Sequence, residues 1–309
     1  MSFSIASVRH GGSVYPCLQV NRRFWRLDEI GETYGFVVPR TVAGIFEQWD
    51  ATLPKLKEIA QLIESGVVSS VHAWNEHDVE LDLPIQYPRK VFCVGANYAD
   101  HLKEMGVKFE KAPGSFPFFF LKPATTALSG PGRSVHLPPG CRDFDWEAEV
   151  VVVFGRSGRN VSPDDAMDLV AGYTLGIDFT ARDHFTSVNP QLPFRFDFSL
   201  GKCQDRSTPV GPWIVPKDFV NGDAIPFRLS VNGTIKQDAS TSDMIYSLRE
   251  QIAGVSRAIG IEAGDLLFTG SPAGVGAPRG ESLAIGDRVK IMSDVIGDME
   301  VVIQSPLSK

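Results

Sequence analysis

A chain of 309 residues is long for a single core and suits one large domain with a smaller one. Its hydrophobic fraction of 43% and charged fraction of 22% are ordinary for a globular protein, and a net charge of −7 without any lysine- or arginine-rich run argues against nucleic-acid binding. Cys17, Cys93, Cys141 and Cys203 are far apart and form no C-x-x-C pair, which argues against a disulfide framework or a structural zinc site.

The opening stretch "MSFSIASVRHGG" has no apolar core of signal-peptide length. No later stretch approaches a membrane span, so a cytoplasmic setting is expected. "SVYPCLQVNRRFWRLDEI" reads as two short strands around a turn at Asn21-Arg22. In "TVAGIFEQWDATLPKLKEIAQLIESG" the apolar residues Val42, Ile45, Leu53, Leu56, Ile59, Leu62 and Ile63 recur at helical spacing. Pro54 is placed to open the second of two helices there. "LDLPIQYPRK" is a stiff connector, and a boundary at residue 85 separates a small domain, 1–85, from a larger one, 86–309.

From Lys90 the pattern changes. "KVFCVGANY" predicts a buried strand running into a glycine turn, and "ADHLKEMG" a short helix ended by Gly106. "FFFLKPATTALSGPG" is extended and breaks at Gly130-Pro131-Gly132, and "EAEVVVVFG" is a buried strand. "SPDDAMDLVAGYTLGIDFT" reads as a helix capped by Ser162, with Pro163 in its first position, followed by a strand. Asn232-Gly233 signals a hairpin, "SDMIYSLREQIAGVSRAIG" an amphipathic helix, and "DRVKIMSDVIGDMEVVIQ" the closing strands.

Three carboxylates, Glu147, Glu149 and Asp178, stand at the ends of apolar runs. Glu147 and Glu149 are on alternate residues, so on a strand they share a face. Brought together, such charges repel by several kcal/mol unless a cation neutralises them. An all-oxygen donor set suits a hard ion, Mg²⁺ first, with Mn²⁺ or Ca²⁺ as alternatives. The competing reading is the solvated face of an edge strand.

His101 and Glu104 are three residues apart and share one face of a helical turn, where the carboxylate can orient the imidazole as a general base. An exposed histidine with an ordinary neighbour is the alternative, and His184 is its only rival in setting. Lys122 and Lys202 each follow an apolar stretch, and Arg182 lies four residues after Asp178. Each either snorkels to water or holds an anionic group. The loop "FTGSPAGVG" contains Gly270 and Ser271, and its small residues allow main-chain N–H groups to approach an anion; a plain turn is the other reading.

The order of seven blocks carries more than any of them singly. "VGANYADHLKEMG", "FFFLKPATTALSGPG", "DWEAEVVVVFGR", "AGYTLGIDFTARD", "GKCQDRSTPVGPW", "VNGTIKQDASTSDMI" and "DLLFTGSPAGVG" together resemble the fumarylacetoacetate hydrolase family from about Lys90 to Ile303. That resemblance implies an α+β fold, a β-rich roll of mixed-sheet sandwich type with a small N-terminal α/β domain, and a homodimer. It also implies metal ligation by Glu147, Glu149 and Asp178, and a catalytic dyad of His101 and Glu104 on a lid. Lys202 takes the place of the family's catalytic lysine, and Tyr98, Lys122, Arg182, Gly270 and Ser271 fall where substrate is contacted.

There are departures. Gly95 to Tyr98 reads Gly-Ala-Asn-Tyr where many relatives have Gly-Arg-Asn-Tyr. Phe185 stands where some carry glutamine, and "GKCQDR" brings Gln204 and Arg206 into the usual "GKSFDT" block. A Phe-rich stretch, "HFTSVNPQLPFRFDFSL", separates Asp178 from Lys202 and suggests an apolar substrate end, whereas Arg206 suggests an acidic one.

The expected activity is hydrolysis of a carbon–carbon bond in a small 2,4-dioxo acid, by water that His101 activates. Decarboxylation or tautomerisation of a 2-oxo or 2-hydroxymuconate-type diacid at the same site is the alternative. The expected partner is thus a small 2-oxo acid, with neither nucleic acid nor membrane.

Overall fold

The computed structural model describes residues 2–186, 191 and 196–307. At its centre lies the valine run: strand Ala148–Phe154 is buried at every position. It pairs antiparallel with Val170–Ile177 on one side and with Leu266–Phe268 on the other. Because side chains alternate along a strand, the run serves two cores at once. Val150, Val152 and Phe154 pack into one apolar cluster, and Val151 and Val153 into another.

The first cluster joins two sheets. It unites the central strand with Phe227, Leu229, Val289, Ile291, Val301 and Ile303 of a five-stranded sheet. The second lies on the opposite face, where the N-terminal helices Val42–Glu47 and Trp49–Glu64 cover the large sheet through Ile45, Phe46, Trp49, Leu56 and Ile59. The large sheet has twelve strands. Strand Ser4–His10 joins it by pairing at Ile5↔Ile214, so N-terminal residues extend the same sheet that carries the valine run. The fold is α+β, as the sequence led us to expect.

Turn chemistry fixes the hairpins. Asn21 and Arg22 have φ of 51° and 59°, the left-handed pair of a two-residue turn between Ser13–Val20 and Arg23–Arg26. Asn232 and Gly233, at 49° and 81°, do the same between Pro226–Val231 and Thr234–Ser240. The C-terminal helix is Leu248–Ala258, opened by a capping box of Ser247 and Glu250.

Two local expectations need correction. Pro54 does not open the second helix, which begins at Trp49; the break falls at Gln48, and the proline lies inside, where it costs the helix one i→i−4 bond. Ser162 caps only a turn, accepting from Asp165 N at 3.2 Å, and the next element is the 3₁₀ segment Ala166–Leu169. That 3₁₀ segment ends where Val170 turns to extended backbone, with φ −77° and ψ 127°, and enters the buried strand. Helix Leu27–Tyr34 and strand Ser4–His10 carry no turn or cap signal that the sequence reading used. Among the described residues no helix is long and apolar enough to cross a membrane.

Candidate active site

One antiparallel register builds the site. Ala148 pairs with Ile177 and Glu149 with Gly176, and the ladder continues outward through a 2.8 Å bond from Asp178 N to Glu147 O. Beyond a short irregular stretch, Phe144 faces Ala181 and Asp145 faces Thr180 in the same register. Glu147 is therefore set opposite Asp178, and Glu149 is paired with Gly176, over which the Phe268 ring and Val151 pack. Glu147, Glu149 and Asp178 each bring a carboxylate oxygen within 4.8 Å of the others, and all three are buried.

Three cations ring this cluster. Lys202 Nζ donates to Glu147 Oε2 at 2.6 Å and to Asp178 Oδ2 at 2.8 Å. Arg182 bridges Glu147 Oε1 at 2.6 Å and Asp145 Oδ2 at 2.9 Å. Lys122, wholly buried, forms an ion pair with Asp178 Oδ1 and donates to Thr208 Oγ1 at 2.8 Å. Asp178 Oδ1 lies against that ammonium without accepting a well-directed hydrogen bond.

Glu149 is treated differently. Its Oε2 accepts the Gly270 N–H at 2.6 Å, and no lysine or arginine pairs with it among the described residues. Burial, then the neighbouring Asp178 and Glu147, push its carboxyl well above the usual carboxylate range. Glu147 goes the other way: burial opposes its ionisation, but Lys202 and Arg182 outweigh that and hold it at about 2. Burial likewise opposes the charge on Lys202, and Asp178 and Glu147 overcome it to push the ammonium up. A cluster whose third carboxylate resists ionising for want of positive charge fits a divalent cation, and its all-oxygen donor set fits a hard one.

The dyad forms as read from the sequence. Helix Ala99–Glu104 brings His101 Nδ1 to 2.9 Å from Glu104 Oε1. Both oxygens of Glu104 also accept the Gly274 N–H, each at 3.0 Å. An acceptor-only carboxylate requires Nδ1 of His101 to carry the proton, which leaves Nε2 as the basic nitrogen. Gly274 belongs to the same small-residue loop as Gly270, so that loop ties the dyad to Glu149.

The remaining residues singled out in the sequence reach the site with their polar groups already engaged. Gly270 gives its N–H to Glu149, and Ser271 Oγ accepts from Gln237 Nε2 at 2.8 Å. Tyr98 is the exception: it is fully buried, edge-on to Phe227, and its hydroxyl has no hydrogen-bond partner among the described residues. His184 stands apart from the dyad, beside Cys141 and Asp183.

The Phe-rich stretch can be followed in part, since residues 187–190 and 192–195 lie outside those described. Phe118 and Phe120 alternate with Lys122 along one face of strand Phe118–Lys122, and both rings contact Phe198, at 5.2 and 5.1 Å between centroids. Phe185 meets Phe198 at 4.6 Å, and Lys202 Nζ lies 5.9 Å from the centre of the Phe120 ring. Arg206 belongs elsewhere: with Arg9 and Arg133 it lines a polar cavity of about 730 Å³ to which none of the three carboxylates contributes.

Sequence reading missed several residues that hold the site together. Gln237, almost fully buried, accepts the Ala148 N–H at 2.8 Å and donates to Ser271 Oγ and Pro272 O, each at 2.8 Å. It ties the strand that carries Glu149 to the small-residue loop. Asn97 donates to Thr269 O at 2.9 Å and accepts from Tyr246 N at 2.8 Å, anchoring the turn that launches the dyad helix. Asp145 accepts from Gly276 N at 2.6 Å as well as from Arg182. Its signal was present: Asp145, Glu147 and Glu149 continue a single alternation.

Comparison with known proteins shows the family. Residues 90–304 match the fumarylacetoacetate (FAA) hydrolase C-terminal family. The chain is 36% identical over 268 residues to the mitochondrial oxaloacetate tautomerase FAHD2B of Homo sapiens, covering 84% of this chain and 78% of that one. Among solved structures, a fumarylacetoacetate hydrolase from the psychrophile Exiguobacterium antarcticum superposes with a TM-score of 0.77 at 26% identity, covering 98% of this chain and all of the other (100%). A fumarylpyruvate hydrolase from Pseudomonas aeruginosa, solved with Mn²⁺ and pyruvate, gives 0.62 at 32% identity over 70% of this chain and 90% of its own.

Proposed function

The chain belongs to the fumarylacetoacetate hydrolase family, and from that premise we propose that it is a divalent-metal-dependent enzyme moving a proton at the enolisable carbon of a small 2-oxo acid, as an oxaloacetate-type tautomerase does. The observation that carries this reading is the His101–Glu104 dyad, tied through Gly274 N–H to the same small-residue loop whose Gly270 N–H holds Glu149. Glu147, Glu149 and Asp178 would hold the ion; we assign Mg²⁺, with Mn²⁺ or Ca²⁺ as substitutes. Such an ion, when bound, supplies Lewis acidity that favours the enolate of a 2-oxo acid over its neutral form.

The chain's own residues do the rest. Glu104 fixes the ring of His101, whose Nε2 takes the proton from the enolisable carbon and delivers it to the enolate oxygen, or the reverse. Lys202 and Arg182 keep Glu147 ionised and oriented, as partners behind a metal ligand do. Lys202 also lends positive charge at the edge of the cluster, where negative charge develops on the substrate oxygen. The rings of Phe118, Phe120, Phe185 and Phe198 form an apolar border beside Lys202 that limits water.

Hydrolysis of a 2,4-dioxo acid is the second reading. It needs the same enolate and the same base, with His101 drawing its proton from water, and the fumarylpyruvate hydrolase solved with pyruvate favours it. The likeness to a tautomerase over most of the chain moves proton transfer ahead of it. We take the working unit to be a cytoplasmic homodimer.

Two assays on one Mg²⁺-loaded preparation separate the readings: decay of enol-oxaloacetate followed by absorbance, and pyruvate release from acylpyruvates and fumarylpyruvate. Enol decay that depends on His101 supports the tautomerase. Pyruvate release without any effect on the enol overturns it in favour of the hydrolase.

A further inference from the structure

The ladder that builds the carboxylate cluster continues to a second group of donors. Arg182 N donates to Asp143 O at 2.7 Å, extending the Phe144↔Ala181 register. Followed to its end, that register sets Cys141 against His184. Both chains turn there, Cys141 N bonding Pro138 O at 3.0 Å and His184 N bonding Ala181 O at 3.1 Å. The turns bring the thiol, the imidazole and the Asp183 carboxylate together, with one donor atom of each within 4.8 Å of the others.

The three side chains are half-buried, and the carboxylate is already aimed. Asp183 Oδ2 accepts the Arg142 N–H at 2.9 Å, and Oδ1 accepts from Cys141 Sγ at 3.1 Å. The ring of His184 makes no hydrogen bond to the described residues, although a ring nitrogen lies beside both groups.

We propose that Cys141, Asp183 and His184 form a second cation site, selective for a borderline-soft transition ion such as Zn²⁺. Sulfur, nitrogen and a single carboxylate oxygen form the donor set that such an ion prefers, with a fourth position open to water. The hard site differs in kind, because Glu147, Glu149 and Asp178 offer oxygen alone. Binding exchanges one S–H bond for one metal–sulfur bond and releases one proton to solvent, so affinity rises with pH. The two sites share a ladder: Asp183 follows Arg182, which carries Glu147 and Asp145. An ion at the second site would brace the turn from which that arginine reaches.

Cobalt reads the soft site alone. Co²⁺ bound by a thiolate shows a sulfur-to-metal charge-transfer band in the near ultraviolet, which an all-oxygen site cannot produce. The full chain, stripped with chelator, desalted and saturated with Mg²⁺, is titrated with Co²⁺. The expected result is a band that saturates at one equivalent per chain. It disappears in Cys141→Ser, weakens in apparent affinity by about tenfold or more in His184→Asn, and persists in Cys203→Ser and Asp178→Asn. Thermal melts of each variant identify any that has failed to fold. Absence of the band from folded wild-type protein overturns the proposal, as does a band of full intensity in folded Cys141→Ser.

Discussion

Glu147 and Asp178 face each other across a single antiparallel ladder, joined by the 2.8 Å bond from Asp178 N to Glu147 O and bridged by the ammonium of Lys202. That pairing, with Glu149 two residues along, concentrates negative charge in a dry place. The consequence is a protein whose stability depends on what neutralises Glu149.

Without metal, the folded protein holds a proton on Glu149 more tightly than the unfolded chain does. Stability therefore falls as pH rises above about 4.3, the unfolded value, and the loss continues up to the raised folded value. Glu147 contributes oppositely: its share is present above about 4.3 and is lost as pH falls toward about 2. Glu149→Gln should abolish Mg²⁺ binding at the carboxylate cluster, yet stabilise the metal-free protein at pH 7 by roughly 1–3 kcal/mol. Thermal melts across pH, with chelator and with Mg²⁺, test both halves. A variant less stable than metal-free wild type at pH 7 would contradict this account of the cluster.

His101→Ala should lower kcat by about 10²- to 10⁴-fold while leaving metal affinity unchanged. Glu104→Gln should cost less, about 10- to 10²-fold, because the amide can still hold the ring but no longer favours its charged form. Steady-state kinetics alongside calorimetric Mg²⁺ titration checks the pair. Equal losses of metal affinity and of rate would move the dyad's role from proton transfer to ligation.

Gln237→Ala removes the partner of three buried groups at once: Ala148 N, Ser271 Oγ and Pro272 O. A loss of about 2–4 kcal/mol is expected, with a rise in KM as the small-residue loop loosens. Denaturant unfolding and kinetics on the same preparation measure the two effects. Gln237→Glu would recover the bond from Ala148 N but bury a carboxylate against Pro272 O, and so should be no more stable than alanine.

Gly274→Ala should be among the most damaging single changes in the loop. Its φ is +107°, and an added Cβ would come within 2.0 Å of Lys236 O, a main-chain atom that cannot step aside. Because Gly274 also anchors Glu104, loss of activity should accompany a destabilisation of about 3 kcal/mol or more. Activity retained at the wild-type level in a folded variant would disconnect the loop from the dyad.

The valine run was legible from sequence as a strand buried on both faces, because an apolar stretch without alternation has no solvent side. Both two-residue hairpins were legible too: Asn-Gly is the pair that left-handed turns favour, and in Asn21-Arg22 the asparagine alone carries that preference. The alternation of Glu147 with Glu149 and the three-residue spacing of His101 and Glu104 are likewise local facts, fixed by strand and helix periodicity. So was the family, because seven ordered blocks constrain one another.

Which partner each charge would find was not legible. Lys122, Arg182 and Lys202 had two readings each, snorkelling or holding an anion, and only the fold pressed all three against the carboxylates. Arg206 looked like a substrate contact and turned toward another cavity. Gln237 meets Ala148 across 89 positions of chain, and Cys141 meets Asp183 across 42. Periodicity sets which face a side chain occupies within its own element. Which distant element lies opposite depends on strand register and sheet order, set by the packing of the whole core rather than by any one segment.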